Sequence, residues 1–165
     1  MKTIFIDRDG CVNVRLVGNW VMSWDDFEFM PGAIEGISKL KQAGYRLILV
    51  TNQRCINLGK FSVSGLNALH EKMQTELRKA GGYFDAIYHC PHDRHENCDC
   101  RKPMPGMFFQ ATADYDDIVL ADTIMLGDQP SDEEAAQAAK IGTFFKISED
   151  HTILEAAEKI IAKNA

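Results

Sequence analysis

Acidic residues follow two of the short apolar runs in this chain. Asp7 and Asp9 lie in "FIDRDG" (5–10), and Asp128, with Asp132 beyond it, lies in "GDQPSD" (127–132). A third run leads into "TNQ", Thr51 to Gln53, which offers a hydroxyl and two amides. If these runs are neighbouring strands, acids more than a hundred residues apart in sequence meet at one sheet edge. Two carboxylates on one loop with a third from another strand make an oxygen-rich set. Such a set suits Mg²⁺, which takes few carboxylates and keeps room for water and substrate phosphate. Gly10 lets the chain turn sharply beside them. Any one of these acids alone would as readily be a turn former or a helix cap; the chemistry rests on their convergence.

A second cluster lies in "HCPHDRHENCDCRKP", residues 89–103, which holds three of the five cysteines and three of the five histidines. Cys90, His92, Cys98 and Cys100 offer three sulfurs and one imidazole. That is a closed tetrahedral set for Zn²⁺ with no position left for water, and so a structural site rather than a catalytic one. The plain alternative is a group of unmetallated surface residues. Arg101 and Lys102 follow Cys100 directly, so a bound zinc would fix the backbone that presents both cations.

Positioning these groups requires buried strands. "TIFI" (3–6), "RLILV" (46–50), "AIYH" (86–89), "TIMLG" (123–127) and "TFFKI" (143–147) are short apolar runs of the kind buried on both faces. Between them lie segments with helical spacing. "PGAIEGISKLKQAG" (31–44) repeats Ile34, Ile37 and Leu40, and Leu66, Leu69, Met73 and Leu77 form the next stripe, which stops at Gly81-Gly82. Further helices are expected around 105–115 and 131–140, with Thr152 capping a last one. Strand and helix in alternation predict an α/β fold, a doubly wound, Rossmann-like parallel sheet with helices on both faces. Sheets of this kind bind ligands beyond the carboxyl ends of their strands, where the acids lie.

With 165 residues, 45% of them hydrophobic, the chain is expected to form one domain over residues 1–165. A formal charge of −6 and a pI near 5.3 argue against nucleic acid or an anionic membrane as partner. They leave room for a small anionic substrate where cations gather. No apolar run approaches the ~20 residues that span a bilayer, and Met1-Lys2-Thr3 leads into "IFI" without a signal pattern, so a cytoplasmic monomer is expected. An odd, clustered set of cysteines fits metal ligation better than a disulfide framework.

"FIDRDG", "TNQ", the Cys-x-His and Cys-x-Cys cluster, "RKP" (101–103) and "GDQPSD" occur in an order that resembles the haloacid dehalogenase superfamily of phosphatases. Within it they resemble the small branch of heptose bisphosphate and histidinol phosphate phosphatases, and the likeness covers nearly the whole chain. The resemblance implies that Asp7 is the nucleophile, Asp9 the general acid and base, and Thr51 and Lys102 the phosphate holders. It implies Mg²⁺ on the Asp7 carboxylate, the Asp9 carbonyl and Asp128, and it places Asn52, Gln53 and Arg101 near the substrate. It also implies a minimal cap, with the zinc loop standing in for a larger one. The implied reaction is hydrolysis of a small phosphorylated metabolite through an aspartyl phosphate. As a useful acid at neutral pH, Asp9 would need a raised pKa.

The substrate expected first is a doubly phosphorylated heptose, because Arg54, Lys60, Arg101 and Lys102 are more cations than one monoester needs. Histidinol phosphate is the alternative, with Asp25, Asp26 and Glu28 as an acidic wall for its amine. The chain departs from the branch at Cys11, where threonine is usual, and at Gln129, where a lysine or arginine is frequent. In "RCINLG" (54–59) it has Leu58 where arginine is expected and introduces Arg54. Trp20 and Trp24 could wall the pocket or pack in the core. Two other classes share parts of the pattern. A receiver-like phospho-acceptor domain would use the acids and lysine without Asp9 or the zinc loop, and a zinc-organised interaction module would need only the cysteine cluster.

Overall fold

The computed structural model describes residues 1–164. Its five strands are β1 (Thr3–Ile6), β2 (Arg46–Asn52), β3 (Ala86–Cys90), β4 (Ile124–Gly127) and β5 (Thr143–Lys146), all parallel, in the order β3-β2-β1-β4-β5. The helices are α1 (Ala33–Gln42), α2 (Val63–Lys79), α3 (Gly106–Asp114), α4 (Pro130–Ala138) and α5 (Ile153–Asn164). This is the doubly wound sheet that the alternation predicts.

Side chains on a strand alternate between faces, and the two cores follow that alternation. Ile4, Ile6, Leu47 and Leu49 join Ile37, Leu40, Leu69, Met73, Leu77 and Ile160 on one face. Phe5, Ile48, Val50 and Met125 join Met107, Phe108, Ala111 and Ala135 on the other. The stripes read from α1 and α2 are therefore core. Ser62 caps α2 by accepting from Gly65 N at 3.0 Å. Thr152 caps α5 as expected, with Glu155 N donating to its hydroxyl at 3.3 Å and Glu155 returning a contact to Thr152 N at 3.2 Å.

β2 runs two residues further than the apolar pattern suggests. Thr51 and Asn52 continue in register with His89 and Cys90 of β3. Two polar residues can extend a buried strand there because its carboxyl end opens onto a cleft. β1 lies between β2 and β4, so the winding reverses at β1, and the crevice at that reversal is where such sheets take ligands. Among the described residues no helix is long and apolar enough to cross a membrane.

Candidate active site

A cleft of about 460 Å³ opens over the carboxyl ends of β1 and β2, and its lining includes Asp7, Asp9, Thr51, Asn52, Gln53, Arg54, Arg101 and Lys102. Asp128 joins them from the end of β4, its carboxylate oxygens within 4.8 Å of ligand atoms on Asp7 and Cys11. Lys60 and Leu58 lie outside this lining, whereas Arg15 and Arg94 belong to it. The cations expected at the rim are therefore present, with Arg15 and Arg94 in place of Lys60. Asp25, Asp26 and Glu28 are exposed and outside the cleft, so it has no acidic wall from that segment.

Lys102 is buried at the centre. Its Nζ lies 2.6 Å from Asp7 Oδ1, 2.6 Å from Asp132 Oδ1 and 2.9 Å from the Val50 carbonyl. Burial alone would lower the Lys102 ammonium, but Asp7 and Asp132 outweigh it and hold the charge. Burial, and then the Asp132 carboxylate, push Asp7 well above the ordinary carboxylate range, against the pull of Lys102. Asp132 also accepts from Asp128 N at 3.1 Å and Gln129 N at 2.9 Å, so the start of α4 organises this corner.

Asp9 is gripped on both oxygens. Arg8 Nη2 and Asn13 Nδ2 donate to Oδ1 at 3.1 and 3.0 Å, and Gln53 Nε2 donates to Oδ2 at 3.0 Å. Burial would raise the Asp9 carboxyl, but Arg8 foremost, with Asn13 and Arg15, outweighs it and holds it below the ordinary value. The raised pKa wanted of a resting general acid is thus absent from the ligand-free protein, which carries Asp9 as a carboxylate. Arg8 is fully buried, and its Nη1 faces His70 Nε2 at 3.1 Å. Burial, and then Arg8, lower His70 to about 3, so the ring is neutral and accepts this contact.

Gln53 and Asn52, placed near the substrate by resemblance, turn out to brace other groups. Besides Asp9, Gln53 Nε2 donates to Thr51 Oγ1 at 2.8 Å. Asn52 clamps the Lys102 peptide through two hydrogen bonds of 3.0 Å. Arg54 Nη1 pairs with Asp93 Oδ1 at 3.1 Å, and its guanidinium lies 5.6 Å from the centre of the Trp20 ring. Trp20 lines the cleft, while Trp24 stacks on Phe27 at 5.0 Å and packs against the core. The two tryptophans therefore divide between the two roles open to them.

Two donor sets fit metal ions. Cys90 and Cys98 sulfurs lie 3.8 Å apart, and His92 Nδ1 lies 3.3 Å from the sulfurs of Cys90 and Cys100. Sulfurs at zinc's usual ~2.3 Å on a tetrahedron stand roughly 3.8 Å apart, so this set can close around Zn²⁺. The second set is Asp7, Asp128 and the Asp9 carbonyl, and a cation already reaches it. Arg15 Nη2 donates to the Asp9 carbonyl at 2.6 Å and to Asp128 Oδ1 at 3.0 Å, and lies 3.9 Å from Asp7 Oδ2. Gly10, with φ +93°, passes so close that a Cβ there would collide with Asp128 Oδ2. The glycine keeps this oxygen set open to a cation. Gln129 Nε2 steadies Asp128 at 2.7 Å. Cys11 is fully buried beside the set; burial, and then Asp7 and Asp128, push its thiol well up, so it stays neutral.

Arg8, Asn13, Arg15 and Arg94 join the site without being singled out by the sequence; of these Arg8 lies within "FIDRDG" and Arg94 within the 89–103 stretch, as Asp132 does in "GDQPSD".

A doubly wound sheet with acids after β1 and β4 and a buried lysine between them is an arrangement found in one large group of hydrolases. The model of the haloacid dehalogenase-like hydrolases matches residues 19–140, and the chain belongs to that family. Within it the chain is a phosphatase. A D-glycero-beta-D-manno-heptose-1,7-bisphosphate 7-phosphatase of Vibrio cholerae is 40% identical over 164 residues, covering 95% of this chain and 87% of the relative. The enzyme of that name from Escherichia coli K12 is 41% identical over 150 residues, covering 87% and 77%. The crystal structure of D,D-heptose 1,7-bisphosphate phosphatase from B. bronchiseptica, complexed with magnesium and phosphate, superposes with a TM-score of 0.91 at 33% identity, over 99% of both chains.

Proposed function

We propose that the protein is a Mg²⁺-dependent phosphatase that removes one phosphate from a heptose 1,7-bisphosphate through an aspartyl phosphate on Asp7. The carrying observation is the charge layout of the cleft: one buried lysine at its base beside Asp7, and Arg54, Arg94 and Arg101 along its lining. One base cation serves the phosphate that is cleaved, and the arginines serve a second phosphate. Histidinol phosphate, the alternative, would bring an amine into this cationic surround.

Asp7 attacks phosphorus as the bond to the sugar oxygen breaks, and Asp9 gives that oxygen a proton. Asp9 then takes a proton from the water that hydrolyses the acyl phosphate, releasing inorganic phosphate and restoring Asp7. The resting Asp9 is a carboxylate, so it takes up a proton from solvent as the phosphate dianion arrives beside it, since like charge favours the protonated form. Thr51 Oγ accepts from Gln53, which leaves its own hydrogen free for a phosphate oxygen. Lys102, held protonated, offsets charge on the transferring group. The Asp7 carboxylate, the Asp9 carbonyl and Asp128 would hold Mg²⁺, which supplies charge neutralisation to phosphoryl transfer. Cys90, His92, Cys98 and Cys100 would hold a structural Zn²⁺ that fixes the approach to Lys102. The lining draws on residues from Asp7 to Asp132, which supports a site built within one domain. A reducing cytoplasm keeps the three cysteine ligands available for zinc.

The test is phosphate release from heptose 1,7-bisphosphate, histidinol phosphate and simple sugar monophosphates, with and without Mg²⁺. The highest kcat/KM is expected for the heptose bisphosphate, with Mg²⁺ required. A higher value for histidinol phosphate overturns the substrate, and no Mg²⁺-dependent release from any of them overturns the metal-assisted phosphatase reading.

A further inference from the structure

Arg15 does more than line the cleft. Its Nη2 bonds the Asp9 carbonyl at 2.6 Å and Asp128 Oδ1 and Oδ2 at 3.0 and 3.1 Å, and its Nε bonds Asp128 Oδ2 at 3.2 Å. Nη2 also stands 3.9 Å from Asp7 Oδ2. These are the oxygens assigned above to Mg²⁺. We propose that Arg15 is a tethered counter-cation that occupies the metal's oxygen set and must be displaced for Mg²⁺ to bind. This rests on the reading that Asp7, the Asp9 carbonyl and Asp128 hold the metal.

Three buried or nearly buried carboxylates, those of Asp7, Asp128 and Asp132, crowd this corner, and Lys102 contacts Asp7 and Asp132 but leaves Asp128 to another cation. Without a further cation their mutual repulsion would be costly at low local dielectric. Arg15 supplies that cation from a side chain that is 41% exposed and free to reach solvent instead. Its planar fork matches the Asp128 carboxylate, which a lysine could not do. A metal ion bound to these oxygens would use the lone pairs that accept from Nη2, so the two cations exclude each other. The backbone need not move for the exchange. Asn13 is buried and bonded to Asp9, and Val14 N donates to the Glu28 carbonyl at 2.8 Å, so the residues before Arg15 are anchored and its side chain alone swings. The outcome is a protein whose metal site is neutralised before metal arrives, with a correspondingly weaker apparent affinity for Mg²⁺.

Isothermal titration of Mg²⁺ into the full chain, zinc-loaded and without chelator, tests this with wild type, Arg15→Gln and Arg15→Lys. Arg15→Gln is expected to bind Mg²⁺ about two- to fivefold more tightly, the worth of one half-exposed ion pair. Arg15→Lys should fall between the two. Thermal unfolding of the zinc-loaded proteins without Mg²⁺ should show Arg15→Gln less stable than wild type and more strongly stabilised by added Mg²⁺. Equal or weaker Mg²⁺ affinity in a folded Arg15→Gln overturns the inference and leaves the metal reading intact. Absence of Mg²⁺ binding in wild type and variant alike overturns both.

Discussion

Asn52 grips the peptide of Lys102 from both sides. Its Nδ2 donates to the Lys102 carbonyl at 3.0 Å, and the Lys102 N–H donates to its Oδ1 at 3.0 Å. Asn52 is itself in register with Cys90, one of the four candidate zinc ligands. The lysine is therefore tied to the sheet directly and, through Cys100 two residues earlier, to the zinc loop. Asn52→Ala leaves two backbone groups without partners, at a cost of about 1–3 kcal/mol. For a domain of this size each kcal/mol lowers Tm by roughly 2–4 °C. Because Lys102 then drifts from Asp7, kcat should fall by about tenfold or more while Mg²⁺ affinity is unchanged. An unaltered kcat would mean that Asp132 and Val50 alone hold the ammonium in place.

Asp7→Asn should abolish turnover and leave the fold intact, because the amide is nearly isosteric and cannot attack phosphorus. Asp9→Asn should cripple turnover without unfolding. Steady-state phosphate release checks both, and turnover by Asp7→Asn within about tenfold of wild type would remove Asp7 from the nucleophile's role.

Metal analysis should find about one zinc per chain. Cys98→Ser should lower both thermal stability and kcat, since a weakened zinc site frees the loop that ends at Lys102. Added Mg²⁺ should not restore the rate. A zinc-free, folded preparation with full activity would show the loop to be dispensable.

His70 carries a pH signature. Its folded pKa of about 3 lies below the ordinary 6.5. As pH falls below 6.5 the unfolded chain takes up a proton that the folded ring refuses, so this stability is present above 6.5 and is lost on acidification towards 3. The slope is at most about 1.4 kcal/mol per pH unit. Urea unfolding at pH 7 and pH 5 should differ more for wild type than for His70→Gln, and identical differences would argue against a neutral buried ring.

Arg54→Ala should raise KM for a heptose bisphosphate far more than for the matched monophosphate, because Arg54 faces the cleft from the β2 side, where it pairs with Asp93 at the edge. Equal effects on both substrates would place the second phosphate elsewhere.

Much of this arrangement is written in the sequence. Unbroken apolar runs such as "LILV" (47–50) mark strands covered on both faces, since only burial makes such runs favourable. The stripe of Leu66, Leu69, Met73 and Leu77 marks the buried side of α2. Cys90, His92, Cys98 and Cys100 declare a ligand set by type and spacing, and the acids after β1 and β4 declare an edge where charge collects. These features are local, or follow from a strand's carboxyl end, and so they survive without knowledge of the fold.

The tertiary structure decided where individual side chains point. Trp20 and Trp24 are alike in sequence, yet one faces the cleft and the other joins Phe27 in the core, because the direction of a loop side chain depends on packing partners from other segments. Gln53 serves Asp9 and Asn52 serves Lys102, pairings that span 44 and 50 residues. Lys60 falls outside the cleft and Arg15 folds into it. The charge state of Asp9 depends on packing for the same reason. A pKa in a buried site answers to burial and to all nearby charges, and the decisive charge, Arg8, is buried against His70 of α2. Spacing along the chain fixes which residues reach the sheet edge; only the packed fold fixes which of their atoms meet.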